Sequence, residues 1–185
     1  MSETLSAAWD GVSVPLAARV IVRAAEGTRL VPYQDGVGVW TIGTGATRDL
    51  DGAPVTAATP ALTEVQADEL LARDMATSAG DVAALVTVPL MVCQAAALIS
   101  FDFNEGRGQF SMSTLLRELD AANVADVPAQ LRQWDYAGNA PELGLLRRRW
   151  AEAAVFVGLD PRAAIGRAWS EIQGFADWPV FGVVA

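Results

Sequence analysis

Glu26, Asp35 and Thr41 are the residues of this 185-residue chain whose types and spacing could do chemistry. They are two carboxyl groups and a hydroxyl within a short stretch, AAEGTRLVPYQDGVGVWTIGTG, that runs over residues 24–45. A carboxyl group that keeps its proton, a second that has lost it, and a hydroxyl able to hold a water would make a kit for acid–base cleavage of a glycosidic bond. The same residues also suit plainer duties: a solvated carboxylate at a helix end, a turn former and a strand residue. Spacing alone leaves both readings open.

The elements around the three residues must position them. Residues 15–26 read as a helix, with Pro15 at its start and Leu16, Val20 and Ala24 at helical spacing. Gly27 stops it, so Glu26 falls in the last turn and points towards the next element of the chain. From 29 to 46, strand formers (Leu30, Val31, Tyr33, Val39 to Ile42) are interrupted by Asp35-Gly36 and Gly38, the pattern of a small β-hairpin. The remainder reads as helical. Thr63-Glu64-Val65-Gln66 is a capping box opening a helix to about residue 79, and the nearly all-apolar stretch 90–103 is the candidate central buried helix. Further helices are expected over 112–121, 124–135, 142–157 and 160–173, with an apolar end that carries Trp169, Phe175, Trp178 and Phe181.

Composition narrows the chemistry. The chain has no His, which excludes Ser-His-Asp and Cys-His catalysis and the His-based zinc sites of hydrolases. All thirteen basic residues are Arg, and a net charge of −9 argues against affinity for nucleic acid. Half the residues (52%) are hydrophobic, enough for one globular domain, yet no run approaches the ~18 apolar residues of a membrane span. The single Cys93, in an apolar stretch, reads as a buried core thiol.

The string Glu-Gly-x-Arg-Leu-x-x-Tyr-x-Asp-x-x-Gly-x-x-Thr-Ile-Gly-x-Gly, from Glu26 to Gly45, resembles the active-site segment of phage-type lysozymes, glycoside hydrolase family 24. Ordered blocks extend the resemblance: Leu62-Thr63 with Leu70-Leu71-Ala72-Arg73-Asp74; Ser100-Phe101-Asp102-Phe103-Asn104; Phe110 to Leu116; and Trp134-Asp135-Tyr136-Ala137-Gly138 leading to Gly144 and Arg147 to Glu152. It implies an α+β, mostly α, two-lobed lysozyme-like fold, with a small β-hairpin sheet lobe, a helical lobe and a cleft between them. The catalytic domain would occupy 15–158, between an N-terminal extension (1–14) and a C-terminal helical and apolar extension (159–185). Glu26 would be the general acid, and for that it must hold a proton near neutral pH, which requires burial or a neighbouring negative charge. Asp35 would be the base or the stabiliser of positive charge at the anomeric carbon, and Thr41 would orient the attacking water. That arrangement fits inversion, with carboxyl groups ~6.5–9.5 Å apart. Arg148 matches an Arg beside the acid, although it could equally be a helix-surface residue; Phe103, Asn104 and Ser113 match cleft-lining positions, and Gly45 and Thr47 a cleft edge.

The implied activity is hydrolysis of the β-1,4 bond between N-acetylmuramic acid and N-acetylglucosamine in bacterial peptidoglycan, by a monomer needing neither metal nor organic cofactor. The settings are phage-mediated lysis, a virion-associated lysozyme for entry, or a non-catalytic lysozyme-fold module that binds wall. Residues 1–10 show no basic and apolar signal regions, so the expected course is accumulation in the host cytoplasm and release through a lesion made by a holin, or delivery in a virion. Three departures stand out. Thr44 and Ala46 occupy positions where the family often has Tyr and His, which predicts a consequence for stability before catalysis. Glu105 stands where an apolar residue is usual, and reads as a solvated carboxylate. The acidic balance is unlike the many basic family members that bind anionic wall.

Overall fold

The computed structural model describes residues 4–180. Phe181, at the apolar end of the chain, lies outside the described residues. Helix α1 (Leu16–Glu26) is followed by the antiparallel strands β1 (Arg29–Gln34) and β2 (Trp40–Gly43). Its buried face, Ala17, Ala18, Ile21 and Val22, follows helical spacing, and Gly27 ends it with a φ of 76° that a β-carbon would resist. In the hairpin, Tyr33 pairs with Thr41 and Gln34 with Trp40, with a bulge between Arg29 and Tyr33.

Two helices then replace the single one expected to run from 64 to about 79. α2 (Glu64–Asp74) starts on the Thr63–Gln66 capping box, and α3 (Ala76–Leu85) starts after Met75. The break keeps Met75, Leu71 and Ala79 buried while the chain turns, so tertiary packing prevails over an unbroken helical pattern. α4 (Val92–Met112) carries an all-buried stretch from Cys93 to Asp102 and is kinked at Gly106 (φ 81°, ψ 156°). It packs on α1, α3 and α7. Then come α5 (Thr114–Asp120), a short 3₁₀ turn (Val124–Asp126), α6 (Val127–Leu131), α7 (Leu143–Phe156) and α8 (Pro161–Glu171). A second two-stranded hairpin, β3 (Tyr136–Ala137) with β4 (Ala140–Pro141), lies in a stretch read as a loop.

The lobes have separate cores. Ile42, Ala46, Val55 and Leu70, flanked by Trp40 and Leu62, form the small one. The large one is built on α4 and α7, with Phe101 meeting Phe110 and Trp134 edge-on at 5.8 and 5.2 Å. The C-terminal extension packs onto it: α8 lies against α7 and α1, Ile172 is buried, and Trp178 is partly buried against the same core. Cys93 is a buried free thiol, its Sγ facing the Phe156 carbonyl at 3.6 Å, and burial raises its pKa above the ordinary value. No described helix is long and apolar enough to cross a membrane.

Candidate active site

Glu26 is held where the small lobe joins α1. Two ion pairs, Arg19 to Asp68 (3.1 Å) and Arg23 to Glu64, bind α1 to α2. Two residues past Glu26, the Thr28 hydroxyl meets that of Thr44 at 2.9 Å and ties the exit of α1 to the loop after β2. Thr44 therefore supplies a local tie at the position where the family often has Tyr. Ala46 fills part of the small core in place of an imidazole.

On the hairpin, the cross-strand pairing of Tyr33 with Thr41 sets both side chains on one face. Asp35 follows β1 two residues beyond Tyr33, and its amide donates to the Val39 carbonyl at 3.0 Å where the hairpin turns. Asp35 also builds the turn: its Oδ1 accepts from the amides of Val37 (3.0 Å) and Val39 (2.8 Å). Turn former and candidate base are thus one residue, with one oxygen committed to each duty. Thr41 is buried, and its hydroxyl donates to the Val39 carbonyl at 3.0 Å. With its proton spent there, Oγ1 faces any further partner as an acceptor.

Arg148 is not on the surface. It is 2% exposed, and its Nη1 meets Glu26 Oε1 at 2.6 Å. Its Nε donates to Glu152 Oε1 (3.2 Å) and its Nη2 to the Ser100 carbonyl (3.1 Å). Glu152 is fully buried and accepts the Ser100 hydroxyl at 2.7 Å. On its other side Glu152 Oε2 stands 3.1 Å from Arg149 Nε, an ion pair without hydrogen-bond alignment. Arg149 continues outward, donating to Asn104 Oδ1 (2.5 Å) and approaching Glu105 Oε1 (3.4 Å), with its guanidinium over the Phe101 ring at 4.9 Å. Burial lowers the Arg149 pKa, against the nearby Glu152 carboxylate.

This network was not assigned from sequence. Its signal was present, since Glu152 stands four residues after Arg148 and three after Arg149 on an otherwise apolar helix. Glu105 is not the solvated carboxylate expected. Its side chain is 20% exposed, and burial pushes its pKa up while Arg149 opposes that rise.

Three further candidates come together. Gly45, Thr47 and Phe103 line one open depression along with Arg48, Arg73 and Thr77, at the edge between the hairpin lobe and α4. Gly45 has a φ of 91°, and a β-carbon there would meet nothing within 4 Å, so its backbone is open to close approach. Asn104 is exposed, but its carbonyl oxygen is taken by Arg149, which leaves its amide N–H groups as the available donors. Ser113 has a structural duty. It is 4% exposed and caps α5, accepting from the Leu116 amide (3.0 Å) and donating to the Phe110 carbonyl (2.7 Å). Its proton and one lone pair are engaged inside the protein, where it supports the start of α5. Among the described residues no group of His, Cys, Asp and Glu is placed to hold a metal ion.

The geometry can be set beside known proteins. Residues 23–152 match the family model described as phage lysozyme. An endolysin of Salmonella phage P22 is 38% identical over 136 residues, covering 74% of this chain and 92% of that protein. A crystal structure of a P22 lysozyme mutant superposes with a TM-score of 0.73 at 34% identity, over 79% of this chain and 99% of that one. The muramidase domain of SpmX from Asticcacaulis excentricus superposes with a TM-score of 0.64 at 30% identity, over 80% and 99% of the two chains.

Proposed function

The chain belongs to the phage lysozyme family, and from that premise we propose that it is a muramidase, cleaving the β-1,4 bond between N-acetylmuramic acid and N-acetylglucosamine in peptidoglycan with inversion. The observation that carries this reading is the division of labour among oxygens at the site. Arg148 holds Glu26 Oε1, so Oε2 is the oxygen left to carry the transferable proton. Asp35 Oδ1 is spent on the turn, so Oδ2 is the oxygen left to accept one. Thr41 has given its proton to a carbonyl and presents lone pairs.

A water that donates one hydrogen to Asp35 Oδ2 and the other to Thr41 Oγ1 has a lone pair free to attack the anomeric carbon. As that bond forms, the bond to the leaving oxygen breaks. The leaving oxygen takes the proton of Glu26, and the water's proton passes to Asp35. Attack from the face opposite the leaving group gives the inverted product. No step calls for a metal or cofactor. The depression lined by Gly45, Thr47 and Phe103, which follows β2 and includes none of the three candidate catalytic residues, supports the reading by offering open backbone and an apolar face to a sugar.

The test is turbidity loss of permeabilised Gram-negative cells. Wild type is expected to clear them, and Glu26→Gln, which keeps the shape and loses the acid, to fall by at least ~100-fold. Equal clearing by both would remove Glu26 as the acid.

A further inference from the structure

We propose that the chain carries a second glycan-binding site, separate from the candidate active site, where the β3–β4 hairpin meets the C-terminal segment. A depression of ≈ 490 Å³ lies there, lined by Arg132, Gln133, Asp135, Tyr136, Pro141 and Phe175. Asp135 is the residue that asks for a ligand. It is 6% exposed, and among the described residues no hydrogen bond or ion pair reaches its carboxylate. Most of the residue is buried, while its carboxylate oxygens are not among the sealed, unpartnered atoms of the described residues and so stay open at the depression. Here it borders an open depression, where a ligand's hydroxyl groups can supply the missing donors.

The rest of the lining fits a sugar. Tyr136 and Phe175 are 57% and 42% exposed, an unusual degree for two aromatic rings on one depression, and their faces suit the apolar face of a pyranose. Gln133 adds an amide with both donor and acceptor, which suits hydroxyl and N-acetyl groups. A carboxylate beside two aromatic rings would also suit an ammonium group, but the Arg132 guanidinium in the same lining repels a cation and favours a neutral ring.

The site is preformed. Glu142 N donates to the Asp135 carbonyl at 2.7 Å where β3 and β4 begin to pair. Arg132 Nη2 holds the Phe175 carbonyl at 2.8 Å, and Asp177 Oδ2 accepts from the amides of Gln173 and Gly174, each at 2.9 Å. A long wall polymer threaded through the cleft could therefore be gripped a second time on the helical lobe, which raises its local concentration. The ligand class rests on the reading of the substrate as wall glycan.

The test is an amide chemical-shift titration of the full-length Glu26→Gln protein with the β-1,4-linked tetramer of N-acetylglucosamine. The expected result is a saturable set of shifts at residues 132–136 and 175, distinct from shifts around residues 26–47. Tyr136→Ala with Phe175→Ala should abolish the first set and spare the second. Asp135→Asn, which keeps the side chain's shape, should weaken the first set about tenfold. Shifts around 26–47 alone would overturn the second site and leave the muramidase reading standing; shifts at 132–136 and 175 alone would do the reverse. No shifts at either place would overturn both. Shifts at 132–136 induced by lysine and not by the sugar would replace the glycan with a cation and overturn the proposal.

Discussion

Two buried carboxylates on the face of this core show how differently one chemical group can behave. Glu152 has the Ser100 hydroxyl and both Arg148 and Arg149 around it, and through them it is joined to Glu26 on one side and to Asn104 and Glu105 on the other. Asp102 is 2% exposed, and its Oδ1 has no partner. Burial pushes its carboxyl up to about 6, helped by Asp81 and opposed by the Ser78 hydroxyl and by Arg107. The folded chain thus keeps a proton that the unfolded chain releases at its ordinary value of 3.8. Stability from this group is intact below pH ~4, declines as pH rises towards 6, and is fully lost above it, a difference of roughly 3 kcal/mol. Asp102→Asn should therefore stabilise the protein by up to about 3 kcal/mol at pH 7.5 and by almost nothing at pH 3.5. Urea midpoints at the two pH values check this, and an equal change at both would contradict it.

Among the elements, α4 carries the greatest consequence, since it runs from the buried core to the site. Its kink places Glu105 at the end of the first segment, and the φ of 81° with ψ of 156° at Gly106 is a conformation essentially reserved for glycine. A β-carbon there would meet nothing within 4 Å, so Gly106→Ala tests conformation alone. It should cost about 2 kcal/mol, read from the urea midpoint. A cost below ~0.5 kcal/mol would mean that the kink is not needed. The same physics decides how legible each element is in the sequence. α1 and the β1–β2 hairpin were readable, because helical spacing, Gly27 and Asp35-Gly36 are local signals, whereas Glu26, Asp35 and Thr41 were singled out as catalytic candidates by the family resemblance and not by spacing. The break at Met75 was not, since the buried face continues across it. The β3–β4 hairpin escaped because two-residue strands have no periodicity to detect. The Arg148–Glu152–Arg149 network escaped because its closure depends on Glu26, Ser100 and Asn104, brought in from other helices.

At the scale of the whole molecule, the net charge of −9 sets the protein against the carboxylate-bearing wall it is proposed to cut. That repulsion reaches ~30 Å at 10 mM salt and only ~8 Å at 0.15 M. Clearing of permeabilised cells should therefore quicken as salt rises from ~10 to ~150 mM; a monotonic fall would show that attraction, not repulsion, governs the encounter. The C-terminal extension belongs to the same balance, because α8, Ile172 and Trp178 complete the large core and carry Phe175 to the surface. The most direct check of the central claim is the chemistry of the cut itself. Purified peptidoglycan is digested by wild type and by Glu26→Gln, the fragments are reduced with borohydride, and the new chain ends are identified by mass spectrometry. The account predicts reduced N-acetylmuramic acid at the ends made by wild type and none above background with Glu26→Gln. New ends on N-acetylglucosamine, 1,6-anhydro ends, or equal cleavage by the two proteins would contradict it.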